Sequence, residues 1–285
     1  MNVLETHITY PSRRDVYTLW YLTDIHAGTR ALDEALLDKT IAGIKADKRA
    51  LWWLGGDACD YIPVQDAKRW DPGSVAPWIS VADLDDLPRV QSAWLAEKLK
   101  PIAGKCLGVG MGNHDEAIRK HHSMDVHQMM MGLLNAALPA KAPRIKSIGY
   151  SAFHVLRFHR IQDGGHTTSL TIYLHHGYFG GRLKGSKALG LERVFAYYDC
   201  DVFFVGHNHD RLAFKPVAMR PVMAESGPTY KARTRAAVNC GTFLRTLAQP
   251  GETPTYSETK GYFPTELGPI PVTFRPDTGE MSIIQ

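Results

Sequence analysis

The chain has 285 residues, 44% hydrophobic and 22% charged, with a formal net charge of +4. That balance suits one large domain or two small ones with a sizeable core, and excludes a disordered chain; the small positive charge mildly favours an anionic ligand without demanding nucleic acid. Apolar runs fall far short of the roughly 18 residues of a membrane helix, Met1-Asn-Val-Leu-Glu carries no signal-peptide pattern, and Cys59, Cys106, Cys200 and Cys240 form no Cys-x-x-Cys pair, so a disulfide framework and a thiolate zinc site are disfavoured and a cytoplasmic protein is expected.

In chain order, Val16 to Leu22 predicts a buried strand that ends at Thr23-Asp24. Asp33 to Lys48 has helical spacing, with Leu36, Leu37, Ile41 and Ile44 apolar. Leu51 to Leu54 is a second strand, Leu87 to Leu99 a second helix, and Leu107 to Met111 a third strand. Strand, helix, strand, helix, strand implies parallel pairing through crossover helices. Later strands are expected at Ala152 to Phe158, Ser169 to His175, Asp201 to Val205, Leu212 to Phe214 and Ala236 to Asn239, with a helix over Lys187 to Tyr198. Two packed sheets with helices outside accommodate this order. Residues 61–88, with Trp70 and Trp78, read as a long insertion and a lid. From about residue 249 an irregular tail is expected. With no repeat and no linker, residues 1–285 read as one domain.

What ends each strand carries the chemistry. The first strand leads to Asp24-Ile25-His26, the second to Gly56-Asp57 with Asp60 close by, and the third to Gly112-Asn113-His114-Asp115. Ser169 to His175 leads to His176-Gly177, and Asp201 to Val205 leads to Gly206-His207-Asn208-His209. Ligands of α/β sheets bind beyond the carboxyl ends of strands, so loops at one rim would gather these groups. Carboxylate, imidazole and amide oxygen without thiolate favour divalent Mn, Fe or Zn. The number of donors suits two ions that share one carboxylate, about 3.5–4 Å apart.

Asp24-x-His26, Gly56-Asp57-x-x-Asp60, Gly112-Asn113-His114-Asp115, His176-Gly177 and Gly206-His207-x-His209 together resemble the five ordered motifs of the calcineurin-like metallophosphoesterases. The resemblance implies an α/β, four-layer α-β-β-α sandwich with two central mixed sheets flanked by helices. It implies that Asp24, His26 and His209 bind one metal, that Asp57 bridges, and that Asn113, His176 and His207 bind the second. His114 and Asp115 would be catalytic: His114 protonates the leaving oxygen and Asp115 orients its ring, while Asp60 supports the Asp57 loop. The cofactors would be two divalent ions, Mn2+ foremost, with Fe, Zn or Mg as alternatives, activating water for hydrolysis of a phosphate ester.

Singly, the motif residues also suit blander roles, Asp24 and Asp57 as helix caps and Asn113 as a turn residue. His175, one residue off register, is expected in the core or behind the site. His121, His122 and His127 read as a solvated helix face, and His154 has no partner pattern. Arg30, Arg182 and Lys184 are candidate substrate contacts. The stretch from Arg182 to Lys187 could be a basic lip or a solvated loop, and Lys231, Arg233 and Arg235 a phosphate track or a solvated sheet face. Tyr61 stands where protein Ser/Thr phosphatases continue with Arg-Gly, which disfavours that branch. Phosphodiesters, such as nucleic acid or nucleotides, are favoured as substrate; a phosphatase acting on a small metabolite or nucleotide and a non-catalytic scaffold of the same fold are the alternatives. No membrane partner is expected, and nothing in the sequence fixes an oligomeric state.

Overall fold

The computed structural model describes residues 1–162 and 165–284. The first half of the chain runs β1 (Asn2–Tyr10), β2 (Tyr17–Leu22), α1 (Glu34–Ala46), β3 (Ala50–Leu54), α2 (Leu87–Leu99), β4 (Cys106–Gly110), α3 (Asn113–His122), α4 (Val126–Ala136) and β5 (Lys146–Gly149). The second half runs β6 (Ser151–Arg160), β7 (Thr167–His175), α5 (Lys184–Ala196), β8 (Val202–Val205), β9 (Arg211–Phe214), β10 (Val217–Ala224), β11 (Gly227–Thr234), β12 (Ala236–Cys240), α6 (Tyr256–Thr259), β13 (Val272–Arg275) and β14 (Glu280–Ile283).

Successive strand residues point to opposite faces, and neighbouring side chains show where the layers lie. Trp52 joins the cluster under α1 to α4, with Leu37, Ile44, Leu95, Ile118 and Met130. Trp53 turns the other way, into a core between two sheets with Leu156, Ile172, Phe204 and Phe274. On the far sheet Phe204 points inward, while Phe203 meets Leu191, Val194 and Phe195 of α5. Both faces of β8 are therefore covered, and all four of its residues are buried. The result is the expected four-layer α-β-β-α sandwich.

One sheet has the order β14-β13-β2-β3-β4-β5, the other β1-β6-β7-β8-β12-β9. Both are mixed: β2, β3, β4 and β5 are parallel while β13 is antiparallel to β2, and β7, β8 and β12 are parallel between antiparallel neighbours. The parallel strands β2, β3, β4, β7 and β8 end level with one another, Leu22 opposite Leu54, Leu54 opposite Val109 and His175 opposite Val205. Pairing continues past the strands: the amides of Asp24 and His26 donate to the carbonyls of Gly56 and Asp57 at 3.2 and 3.0 Å, and that of Gly206 to His176 at 2.9 Å. Five loops thus meet on one rim.

Several elements differ from the sequence reading. The edge strand β1 was not expected, because it shows only Leu4, Ile8 and Tyr10 to the core among polar residues. The irregular run from residue 249 is bounded: the chain returns as β13 and β14 at the edge of the first sheet. His127 is buried rather than solvated, since its Nδ1–H donates to the Gly110 carbonyl at 3.1 Å and Nε2 accepts from the Ser147 hydroxyl at 2.8 Å. Arg233 and Arg235 make no phosphate track. Arg233 pairs with Asp199 and Asp201, and Arg235 donates to the carbonyls of Tyr198 and Cys200 over the Phe195 ring, fastening the root of the β10–β11 hairpin.

Candidate metal centre

The rim loops bring every predicted ligand position to one place. Asp24, His26 and His209 form one group whose donor atoms lie within 4.8 Å of one another, and Asp57, His176 and His207 form a second. Asp57 Oδ2 stands between them, 3.3 Å from His176 Nε2 and 3.8 Å from His26 Nε2. Asn113 Oδ1 belongs with the second group, 3.1 Å from His176 Nε2 and 2.9 Å from His207 Nδ1.

The backbone is bent to achieve this. Asp24, His26, Asp57, His207 and His209 all have φ between 46° and 69°, and among the described residues only Tyr61 and Ser123 share that region without being glycine. Such backbone costs about 1–3 kcal/mol per residue and persists only where its surroundings impose it. Here Asp24 Oδ2 accepts from the Thr23 hydroxyl at 2.7 Å and the His207 amide at 2.8 Å, and the Asp24 carbonyl accepts from the Thr242 hydroxyl at 2.8 Å. Gly112 lies so close that a Cβ there would stand 2.2 Å from Asp57 Oδ1.

The polar pairing fits a bound cation. His176 Nδ1 faces the Gly55 carbonyl at 3.1 Å, which can only accept, so the proton of a neutral ring sits there. Its Nε2 lone pair then meets two oxygens, Asp57 Oδ2 and Asn113 Oδ1. His26 Nε2 and His209 Nε2 likewise face each other at 3.3 Å. Asp24 Oδ1 is buried without a hydrogen bond, with His209 Nε2 at 3.2 Å. Rings and carboxylates in such close array are satisfied either by protons on the imidazoles or by a positive ion, and an all-nitrogen-and-oxygen donor set suits a divalent one.

Electrostatics agree. Burial lifts the Asp57 carboxyl, but the His176 and His114 rings outweigh it and hold it well below the usual range. Burial also works against Asp24, yet His209 and His176 bring it to about 2. Burial opposes charge on His176, and the carboxylates of Asp57 and Asp24 reverse that, lifting it to about 9. The pocket is built to hold positive charge among ionised carboxylates.

His114 sits beside the groups with its Nδ1 donating to the Asp60 carbonyl, which puts the proton of a neutral ring on Nδ1. Burial lowers its tendency to protonate, and Asp57 and Asp60 more than restore it. Asp115 does not take the expected place on this ring. Its Oδ2 accepts the amides of Gly112 at 2.8 Å and Asp57 at 2.9 Å and so clamps two loops together. Asp60 was expected to support the Asp57 loop; its carboxylate instead reaches His26 Nδ1 at 3.3 Å. His175 faces away, its Nδ1 accepting from the Gly177 amide at 2.7 Å.

A cleft of about 830 Å³ opens over the centre, lined by Asp57, Asn113, His114, His207 and His209. Arg30, Arg182 and Lys184 line it, as do Lys68 and Arg69 of the insertion. Lys187, counted with the basic lip from sequence, is buried instead and donates to Asp210 Oδ2 at 3.2 Å. Its apolar neighbours in sequence offered no sign of that. Trp78 stacks on Trp94 with ring centroids 4.8 Å apart, so it faces the protein rather than a ligand.

No family model and no curated protein sequence matches the chain significantly. Solved structures similar to it include a metallophosphoesterase from Sphaerobacter thermophilus, 16% identical, covering 94% of this chain and 87% of that one at a TM-score of 0.36. Zinc-complexed Vps29 from Entamoeba histolytica is 12% identical over 93% of this chain and 89% of that one, at 0.35. GAP50 of Plasmodium, an anchor in the inner membrane complex, is 9% identical over 95% and 88%, at 0.45. Identities and TM-scores this low carry no argument about function, which rests on the geometry above.

Proposed function

We propose that this chain is a dinuclear, metal-dependent phosphoesterase of the calcineurin-like type, acting on phosphodiesters. The observation that carries the reading is the convergence of lone pairs at two adjoining points, with the Asp57 carboxylate between them. Asp24, His26 and His209 would hold one divalent ion, Asn113, His176 and His207 the other, and Asp57 both. Manganese is the first candidate. Two such ions supply charge neutralisation and Lewis acidity to a phosphate ester and acidify water beside it.

The chain's own residues do the rest. His114, with Nδ1 held by the Asp60 carbonyl, presents Nε2 to the cleft as the acid for the departing oxygen. Asp60 orients His26, and Asp115 keeps the Asp57 and Asn113 loops in register. Arg30, Arg182 and Lys184 bind the remaining phosphate oxygens. Residues 61–88 serve as a lid that brings Lys68 and Arg69 over the site, and the breadth of the cleft leaves room for groups on both sides of a diester phosphate. No helix among the described residues is long and apolar enough to cross a membrane. Four buried, unpaired thiols suit a reducing compartment such as the cytoplasm.

The test is hydrolysis of bis(4-nitrophenyl) phosphate against 4-nitrophenyl phosphate in manganese. Diester turnover that falls about 10²–10⁴-fold in His114→Ala, with metal content kept, is the expected result. Preference for the monoester would reassign the substrate, and no turnover of either ester by the metal-loaded protein would remove the hydrolytic reading.

A further inference from the structure

Tyr178, Tyr197 and Tyr230 stand in water without lining the cleft, whereas three exposed aromatic residues are grouped at its mouth. Tyr256, Tyr262 and Phe263 line it and are 70%, 40% and 59% exposed. Exposed rings grouped on one concave wall mark a binding surface more often than a chance of packing. The segment that bears them is tied down. Thr255 caps the short helix α6 by accepting the Glu258 amide at 3.0 Å, and Glu258 Oε2 accepts the Ala248 amide at 3.1 Å. The Thr265 hydroxyl donates to the His209 carbonyl at 3.0 Å, which couples the segment directly to a loop of the metal centre. Lys260, between the rings in sequence, places its amine 5.7 Å from the centroid of Tyr256. Lys68, Arg69, Arg182 and Lys184 add positive charge elsewhere in the same cleft.

Exposed rings and cations in one cleft beside a phosphoesterase centre match the chemistry of a nucleotide, which offers an aromatic face one bond series away from each phosphate. A lipid or sugar phosphate has no flat π-face for such a wall. A duplex keeps its base faces stacked on one another, so only an unpaired base could use it.

We infer that residues 256–263 form a base-stacking platform and that the substrate is a nucleobase-bearing phosphodiester with unpaired bases. The inference rests on the phosphoesterase reading above and names its substrate class. A single strand and a small nucleotide share this chemistry.

The experiment is titration calorimetry of the manganese-loaded protein with two tetramers of equal charge, dA4 and an abasic tetramer, both with cleavage-resistant phosphorothioate links. The platform predicts tighter binding of dA4 by roughly 5- to 150-fold, the range for one stacked base. Tyr256→Ala combined with Phe263→Ala should remove the difference. Tyr256→Phe combined with Phe263→Tyr should keep it, which separates loss of rings from loss of fold. Equal affinities in the unaltered protein, binding of neither tetramer, or a difference that survives the double alanine variant would overturn the inference. A dA2 arm identifies the source: affinity that rises from dA2 to dA4 assigns a strand, and affinity already complete with dA2 assigns a small nucleotide. Hydrolysis of methyl 4-nitrophenyl phosphate by the same samples reports separately on the catalytic reading. Turnover with equal affinities sinks the platform alone, and ring-dependent affinity without turnover sinks the hydrolysis alone.

Discussion

His154 joins the two sheets, and its chemistry predicts an acid-sensitive core. It lies on the inner face of β6, where the Trp53 indole N–H of the opposite sheet donates to its Nδ1 at 3.0 Å. Its Nε2 stands 2.8 Å from the Thr6 hydroxyl. An indole nitrogen only donates, so Nδ1 must be bare and the ring neutral. A proton on Nδ1 would confront the indole N–H inside the sandwich. Burial first, and Lys146 second, lower the His154 pKa from 6.5 to about 4. Between those values the unfolded chain binds one more proton than the folded one, so stability is full above about pH 6.5 and falls as the pH drops toward 4. The whole shift is worth about 3 kcal/mol, of which about 2 kcal/mol is lost by pH 5. His154→Asn keeps an acceptor near Trp53 and removes the titration. Urea unfolding of both proteins in EDTA, at pH 7.5 and pH 5, should show the advantage of the unaltered protein shrinking by about 2 kcal/mol at the lower pH. An advantage that is the same at both pH values would show that His154 is not held neutral by its buried bond to Trp53.

Gly112→Ala should displace Asp57, because the new methyl would stand 2.2 Å from its Oδ1; a loss of about 1–3 kcal/mol by urea unfolding and a fall in bound metal are expected, while Gly104→Ala, with nothing within 4 Å, serves as the neutral control. Asp60→Ala frees the His26 ring and should weaken metal binding roughly 10- to 100-fold in a chelator competition, since partners behind a ligand set its orientation. Replacing residues 65–71 with a Gly-Ser link removes Lys68 and Arg69 from the cleft; KM for the diester should rise about tenfold or more, the worth of one charged hydrogen bond, with metal content unchanged. Equal loss of metal and affinity there would argue that the segment is structural rather than a lid.

The site was legible because its polar residues follow apolar strands at fixed intervals, and parallel strands must end on a common rim. Of the five ligand positions with positive φ, only Asp57 and His207 were signalled in the sequence, each by the glycine before it. Partners set by the third dimension were not visible. Asp115 and Asp60 exchange their expected places because the turn after β4 sends the Asp115 carboxylate back to the amides of Gly112 and Asp57. The buried pair of Lys187 and Asp210, and the bond from Trp53 to His154, join residues far apart in sequence with no spacing to announce them. Residues 249–268 read as plain tail, because exposure of Tyr256, Tyr262 and Phe263 at a cleft is a property of the fold and not of composition.

If Asp57 is shared by two ions, counting bound metal will show it. Protein stripped with chelator, reloaded with manganese, desalted and measured by plasma mass spectrometry should retain about two ions per chain. Asp57→Asn should retain fewer than one while still folding. An unaltered protein that retains essentially none, or an Asp57→Asn variant that keeps both, would mean that Asp57 does not hold a pair of ions.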